Sequence, residues 1–87
     1  MSRAEQILSG LGGAGNILEL DPCITRLRVK VTDPKLVEES QLTRADVRGV
    51  VASGRIIQVI IGPEADVICQ ELAALLDSAG SKVDVQF

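Results

Sequence analysis

One stretch in the first half of the chain alternates strictly between two kinds of residue, and it limits the folds that are available. If positions 24–31 are extended, one face carries Thr25, Leu27, Val29 and Val31. The opposite face carries Ile24, Arg26, Arg28 and Lys30. A strand with one apolar face and one mostly cationic face is buried on a single side. It therefore favours an antiparallel sheet with helices on one face only.

The segments before this strand predict a helix and a second strand. Ser2 stands three residues before Glu5, which is the spacing of a capping box at the start of a helix. The helix should end in the glycine-rich segment 10–16, and residues 16–20 should form a short strand. Asp21-Pro22 predicts the turn that follows, because proline disfavours helix at the residue before it.

The segments after the alternating strand predict a helix, a hairpin and a longer helix. Asp33 and Pro34 suit the first positions of a short helix, and a polar connection follows that helix. Ser53-Gly54 suits the hairpin turn, and Gly80 suits the end of the last helix. The predicted ranges are 34–40 for the short helix, 47–52 and 55–62 for the strands, and 63–79 for the last helix.

Together these elements predict an α+β fold, in which a four-stranded antiparallel sheet is covered on one face by three helices. Their order along the chain is α-β-β-α-β-β-α. We expect one domain over residues 1–79, because 87 residues are too few for two domains. The tail over residues 80–87 alternates only weakly, which leaves an edge strand and a disordered, flexible tail as open alternatives.

The composition excludes several classes of function. The net charge is −3, there is no block of Lys or Arg, and Phe87 is the only aromatic residue, so nucleic-acid binding is not expected. No apolar run approaches the roughly 18 residues of a membrane span, and the N-terminus does not resemble a signal peptide. The absence of histidine removes Ser-His-Asp and Cys-His catalysis and the commonest zinc ligand. We expect neither a metal nor a cofactor.

Residues 10–15 match the string G-x-G-x-x-G of dinucleotide-binding loops. That motif requires a strand before it and a helix after it. Here a helix is predicted before the glycines and a strand after them. The glycines are therefore predicted to end the first helix and to turn the chain into the sheet.

The two cysteines have different predicted surroundings. Cys69 falls on the last helix and should be a buried, inert thiol, since a disulfide with Cys23 is disfavoured in a reducing cytosol. Cys23 precedes the cationic strand. Arg26 and Arg28 offer guanidinium forks that suit phosphate, and nearby cations favour a nucleophilic thiolate. This pattern favours transient phosphoryl chemistry, while a redox-active thiol and a regulatory domain with an incidental cysteine remain open.

Three stretches occur in order: GLGGAGNI, DPCITRLRVKV and VRGVVASGRIIQVIIGPEAD. Together they resemble the IIB domain of the phosphoenolpyruvate-dependent sugar phosphotransferase system, in particular its glucose/N-acetylglucosamine branch. The resemblance covers residues 3–77, and the hexapeptide CITRLR is its most specific part. It implies a phosphotransferase with the fold predicted above. In such domains a phosphohistidine of a IIA protein donates a phosphoryl group to the IIB cysteine, which passes it to a sugar held by the membrane IIC domain.

The resemblance also implies the site residues. Cys23 matches the phosphorylated cysteine, and Arg26 and Arg28 match the arginines that the family needs for transfer to sugar. Residues with an expected supporting role beside the phosphate are Ile24, Thr25 and Gln58. Pro22 departs from the family pattern, in which a small residue is common before the cysteine.

The partners follow from the same resemblance. We expect a IIA protein as donor and the membrane IIC permease with its bound sugar as acceptor. The domain itself is expected to be a cytoplasmic monomer at the inner face of the membrane, without inserting into it. Ile24, Ile56 and Ile60 are predicted to share the side of the arginines and to form a patch that docks IIA and IIC in turn. The sugar stays open, as does the choice between a separate subunit and a part of a longer IIBC chain.

Overall fold

The centre of the protein is a five-stranded sheet, one strand more than the sequence predicts. The computed structural model describes residues 2–86; Met1 and Phe87, the ends of the predicted domain and tail, lie outside the described residues. The strands are β1 (Ile17–Cys23), β2 (Arg26–Val31), β3 (Gly49–Ser53), β4 (Ile56–Ile60) and β5 (Asp84–Val85). Their order in the sheet is β3-β4-β2-β1-β5. All neighbours are antiparallel except β1 and β5, which are parallel, so the sheet is mixed.

Three α-helices cover one face of this sheet, which confirms the predicted α+β class. They are α1 (Arg3–Gly10), α2 (Glu39–Arg44) and α3 (Ala65–Ser78). The covered face carries the fully buried side chains of Leu20, Leu27, Val29, Ile57 and Val59. Ile68, Leu72 and Leu76 of α3 are buried in the same core. Among residues 2–86 no helix lies on the other face, and we call it the open face.

The turn between β1 and β2 lies at Ile24–Thr25, so the predicted turn at Asp21-Pro22 is wrong. β1 continues to Cys23, and β2 begins at Arg26 rather than at residue 24. Cys23 and Arg26 are the last cross-strand pair, which makes the connection a two-residue hairpin loop. Ile24 and Thr25 therefore belong to the loop and are exposed, and Thr25 does not lie on the buried face of the strand.

Pro22 fits inside β1 because its nitrogen faces the edge of the sheet. Gln86 donates its backbone N–H to the carbonyl of Leu20 at 2.9 Å, so that carbonyl points toward β5. Backbone groups two residues apart in a strand point to the same side, and the missing N–H of Pro22 would therefore also face β5 rather than β2. Proline is tolerated at such a position. The ladder between β1 and β5 stops at Glu19 and Leu20, before it reaches Pro22.

The segment after β2 also departs from the prediction. Residues Pro34–Leu36 form only a 3-10 turn, and α2 occupies part of the predicted polar connection. Asp33 caps the turn as predicted, by accepting from the Lys35 amide at 2.9 Å. Leu36 is 51% exposed, whereas Leu42 of α2 is fully buried. The burial of Leu42 thus places the helix later in the chain than the Asp33-Pro34 signal does.

The ends of the other helices follow their predicted signals closely. α1 begins at the predicted capping box: Ser2 Oγ accepts from the Glu5 amide at 3.2 Å, and the Ser2 amide donates to Glu5 Oε1 at 2.9 Å. The hydrogen bonds from the Ser2 amide and then the Ser2 side chain lower the pKa of Glu5. α3 begins two residues later than predicted, with Glu64 at its N-cap, and Gly80 with φ 73° follows its end.

The C-terminal tail takes one of its two predicted alternatives. Asp84 and Val85 pair with Glu19 and Leu20, so this part of the tail is an edge strand. Because β5 has only two residues, it adds little to the core, although Val85 is partly buried against it. Because of this fifth strand, the sheet has one strand more than predicted and is mixed rather than purely antiparallel.

Arg3 connects the starts of α1 and α3. Its Nη1 donates to Glu64 Oε1 at 3.0 Å, and its Nε donates to the Ala45 carbonyl at 2.9 Å. Its Nη2 donates to the Asp46 carbonyl at 2.7 Å. One guanidinium therefore binds two segments that are distant from α1 in sequence, residues 45–46 and Glu64. The hydrogen bond from Arg3 is the main reason that the pKa of Glu64 lies below its usual value.

Candidate active site at the Cys23 turn

The open face carries three neighbouring columns of side chains, one each from β1, β2 and β4. Residues paired directly across neighbouring strands project from the same face. The β1 column is Glu19, Asp21 and Cys23, and it lies opposite the β2 column Lys30, Arg28 and Arg26. The β2 column lies opposite the β4 column Ile56, Gln58 and Ile60. The cationic strand thus has a thiol and two carboxylates on one side and an amide with two isoleucines on the other.

Cys23 stands at the end of this face, where β1 reaches the hairpin loop. Its side chain is exposed and free, and its cross-strand partner is Arg26. Arg28 is the next residue of β2 on the same face, because side chains alternate along a strand. The structure therefore brings together the thiol and the two arginines that the sequence singles out.

Ile24 is the most unusual residue of the loop. Its φ is 55°, a left-handed conformation that a β-branched residue rarely adopts. Ile24 and Asp46 are the only residues other than glycine with positive φ among residues 2–86. A positive φ at the first loop position alone corresponds to a type II′ hairpin, where glycine is the usual residue. The Ile24 side chain is nevertheless 84% exposed, so no packing within the domain explains why isoleucine occupies this position.

Thr25 anchors the loop through its backbone. Its carbonyl accepts the amides of Ile61 at 2.9 Å and Gly62 at 2.8 Å. These bonds join the loop to the segment that links β4 to α3. Within residues 2–86, the amides of Ile24 and Thr25 have no acceptor. The loop is therefore held in place and still has two N–H groups free to bind an anion.

The two arginines differ in their surroundings. Arg26 Nη1 donates to Gln58 Oε1 at 2.9 Å, so Gln58 holds this guanidinium on the β4 side of β2, whereas Cys23 lies across from Arg26 on β1. Arg28 lies between Asp21 and Gln58 in the register and has no side-chain partner among residues 2–86. Lys30, at the far end of the column, lies 4.0 Å from Glu19. Arg28 is thus the cation of the column that remains free for a ligand.

The predicted apolar patch is only partly continuous with the arginines. Ile60 lies directly beside Arg26, and Ile56 lies beside Lys30, both half-buried. Ile24 does not lie on the strand face with them, because it projects from the loop. The three isoleucines therefore flank the cationic column from its end and from one side.

The second cysteine takes no part in this site. Cys69 is fully buried in α3, as predicted, and both cysteines are free, so the disulfide alternative is not formed. Burial, followed by the charges of Asp66 and Asp21, raises the pKa of Cys69 to about 11. An inaccessible thiol of this kind does not provide a resolving partner for redox chemistry at Cys23.

Asn16 is a structural residue that the sequence analysis did not identify. It is 2% exposed, and its Nδ2 donates to the carbonyls of Leu11 at 2.8 Å and Asp33 at 3.0 Å. Its Oδ1 accepts the Asp33 amide at 2.8 Å. These bonds join the glycine-rich loop to the end of β2. The glycines thus lead into the sheet, and they do not precede a nucleotide-binding helix.

Residues 2–86 contain no cluster of three or more His, Cys, Asp or Glu side chains that could hold a metal ion. Across the same residues, no helix combines the length and the apolar content needed to cross a membrane.

Comparison with known proteins places the chain among phosphotransferase-system domains. The family model described as phosphotransferase system, EIIB, matches residues 5–38. The N-acetylglucosamine-specific EIIB component of Streptomyces coelicolor is 51% identical over 75 residues, which cover 86% of this chain and 97% of that protein. The chain belongs to the EIIB family, and EIIB components are phosphotransferases of the sugar phosphotransferase system.

Other relatives carry the matching part within longer chains. The N-acetylglucosamine-specific EIICB component of Bacillus subtilis is 48% identical over 69 residues, covering 78% of this chain and 15% of that protein. The glucose-specific EIICBA component of Streptococcus pneumoniae is 40% identical over 78 residues, covering 88% of this chain and 11% of that protein. In these relatives EIIB and EIIC share one polypeptide, which supports partnership with EIIC.

A solved structure confirms the fold. One domain of the phosphotransferase-system IIabc component from Clostridium difficile matches with a TM-score of 0.72 at 27% identity. The match covers 98% of this chain and 86% of that chain. The fold and the family therefore agree, while the roles of the individual site residues remain predictions.

Proposed function

We propose that this domain accepts a phosphoryl group on Cys23 from a IIA phosphohistidine and passes it to a sugar bound by IIC. The observation that carries the proposal is the cross-strand pair of exposed Cys23 with Arg26, in which a thiol and an arginine occupy neighbouring positions on the open face. Residues 1–79 are the proposed carrier domain and residues 80–87 its tail. The names of the relatives support glucose or N-acetylglucosamine as the type of sugar.

In the first step the Cys23 thiolate attacks the phosphorus of the donor. The S–P bond forms as the P–N bond of the phosphohistidine breaks, and the departing imidazole nitrogen keeps the bonding pair and takes up a proton. The domain contributes no histidine of its own. Arg26 is the cross-strand partner of Cys23 and would turn its guanidinium to the phosphoryl oxygens, for which the free amides of Ile24 and Thr25 are further donors.

In the second step a sugar hydroxyl attacks the same phosphorus. The O–P bond forms, the S–P bond breaks, and Cys23 leaves as a thiolate while the hydroxyl proton passes to a base on the acceptor side. Arg26 and Arg28 stabilise the charge on the transferred group, because a guanidinium binds two phosphoryl oxygens at once. Gln58 holds the Arg26 guanidinium on the open face before the phosphoryl group arrives.

Both partners are proposed to dock on the open face in turn. The isoleucine patch, Ile24 with Ile56 and Ile60, borders the cationic column and would supply the apolar contact. A carrier that exchanges partners needs small, short-lived interfaces. The domain itself is proposed to act as a monomer at the cytoplasmic side of the membrane.

The test measures the covalent adduct directly. The protein is incubated with phosphoenolpyruvate, the general phosphotransfer proteins and a IIA protein, and its intact mass is recorded. We expect one phosphoryl adduct on the wild type and on the control Cys69→Ala, and none on Cys23→Ser. Absence of an adduct on the wild type, or an adduct that survives Cys23→Ser, would contradict the proposal. An oxidised Cys23 without any adduct would instead favour the redox alternative.

A further inference from the structure

Asp21 occupies the position on β1 that neighbours Cys23 on the open face. Side chains two residues apart project from the same face of a strand, about 7 Å apart. Asp21 is partly buried, and its cross-strand partner is Arg28. Together with Arg28 it lines a shallow depression in that face. A carboxylate is thus built into the surface that would hold an anionic phosphoryl group.

The charges on this face are partnered unequally. Two of the three cations of β2 have side-chain partners, in the pairs Arg26–Gln58 at 2.9 Å and Lys30–Glu19 at 4.0 Å. Within residues 2–86, neither Asp21 nor Arg28 makes an ion pair or a side-chain hydrogen bond, with each other or with any other residue. Arg28 therefore lies directly across from Asp21 on β1, and Cys23 is the next residue of β1 on the same face. It is free to turn toward a new anion.

The charge of Asp21 already acts on a sulfur atom elsewhere in the fold. Burial raises the pKa of Cys69 to about 11, and the charges of Asp66 and then Asp21 contribute in the same direction. Cys69 lies on the helix-covered side of the sheet. Cys23 stands beside Asp21 on the solvent side.

We propose that Asp21 sets the phosphoryl-transfer potential of Cys23 by opposing the attraction of the arginines. The inference rests on the proposed function of Cys23. A phosphoryl group adds a charge of about −1.5 to −2, which Arg26 and Arg28 attract and Asp21 repels. A site with cations alone would hold the group too firmly for onward transfer, and Asp21 offsets part of that attraction. Asp21 does not contact the reacting atoms, so it is a positioning residue that acts through its charge and through Arg28.

The equilibrium of the first transfer step tests this role. Phosphorylated IIA and the Cys23 thiolate react to give IIA and phosphocysteine, and the P–N bond is exchanged for an S–P bond. The equilibrium constant follows from the intact masses of both proteins after mixing. Asp21→Asn should raise the constant about fivefold at low ionic strength and about twofold at 0.15 M salt, because screening weakens the repulsion. Asp21→Glu keeps the charge and should stay within about twofold of wild type.

Glu19→Gln is the matched control, because Glu19 lies on the same face one position further from Cys23 and is already paired with Lys30. Its equilibrium constant should change less than that of Asp21→Asn. An unchanged constant in folded Asp21→Asn, an equal rise in Glu19→Gln, or a rise in Asp21→Glu would each overturn the inference while leaving the phosphoryl carrier intact. Failure of the wild type to form phosphocysteine at all would refute the proposed function, and the inference with it.

Discussion

Replacing Ile24 by glycine should make the domain more stable and a poorer phosphoryl carrier. The left-handed φ of 55° costs an L-residue about 1–2 kcal/mol, and glycine does not have this cost. Glycine loses about 0.4–1 kcal/mol through the greater freedom of the unfolded chain. Because the Ile24 side chain is 84% exposed, its removal sacrifices little buried surface. The net gain is about 1 kcal/mol, which corresponds to a rise in Tm of about 4–8 °C for a domain of this size.

Two assays on two variants separate strain from binding. Thermal unfolding followed by circular dichroism should give a higher Tm for Ile24→Gly and no rise for Ile24→Ala, because alanine keeps the Cβ that makes the conformation unfavourable. The rate of phosphoryl transfer from IIA should fall in both variants, since both lose the exposed apolar side chain. A Tm of Ile24→Gly at or below that of wild type would refute the strain argument. Unchanged transfer in Ile24→Ala would refute Ile24 as a docking residue.

The remaining predictions concern the two arginines and the dependence of the Tm on pH in the acidic range. Arg26→Lys and Arg28→Lys should still accept a phosphoryl group from IIA but fail to pass it to sugar, because lysine provides a point charge rather than a fork; normal sugar phosphorylation by both variants would exclude that role. The folded-state pKa of Glu64 is lowered, chiefly by Arg3, so its ionised form stabilises the fold above about pH 4.5, and that stability is lost as the pH falls through the folded-state value. Glu64→Gln should therefore lose less Tm than wild type between about pH 5 and 3, and an equal loss would contradict the assignment.

Burial decides which parts of the fold are predictable from the sequence. The alternation of Leu27, Val29 and Val31 identifies β2, because one face of that strand is excluded from water. The short helix α2 is missed because it has too few residues for a periodic pattern and depends on the packing of Leu42. The turn is misplaced because Asp21-Pro22 predicts a break, whereas the direction of the Pro22 nitrogen depends on β5, a strand of only two residues.

The candidate site shows the same limit. Cys23 and the arginines are close in sequence, so a strand pattern is enough to associate them. Gln58 is 32 residues from Arg26, and the sequence names it only through the family resemblance. Their hydrogen bond depends on the register between β2 and β4, which only the structure provides. Asp21 is missed because assigning it to a turn removes it from the face that it shares with Cys23.

The proline before Cys23 also limits how the domain can associate with other chains. An exposed strand edge can be extended by a strand from a second molecule, which is a common route to aggregation. Beyond Leu20, the outer edge of β1 offers Pro22 where such a strand would need a hydrogen-bond donor. The end of β1 that carries the thiol is thereby protected against edge-to-edge assembly. The face proposed to receive the partners therefore borders a strand edge that lacks one of the N–H groups needed to add another strand.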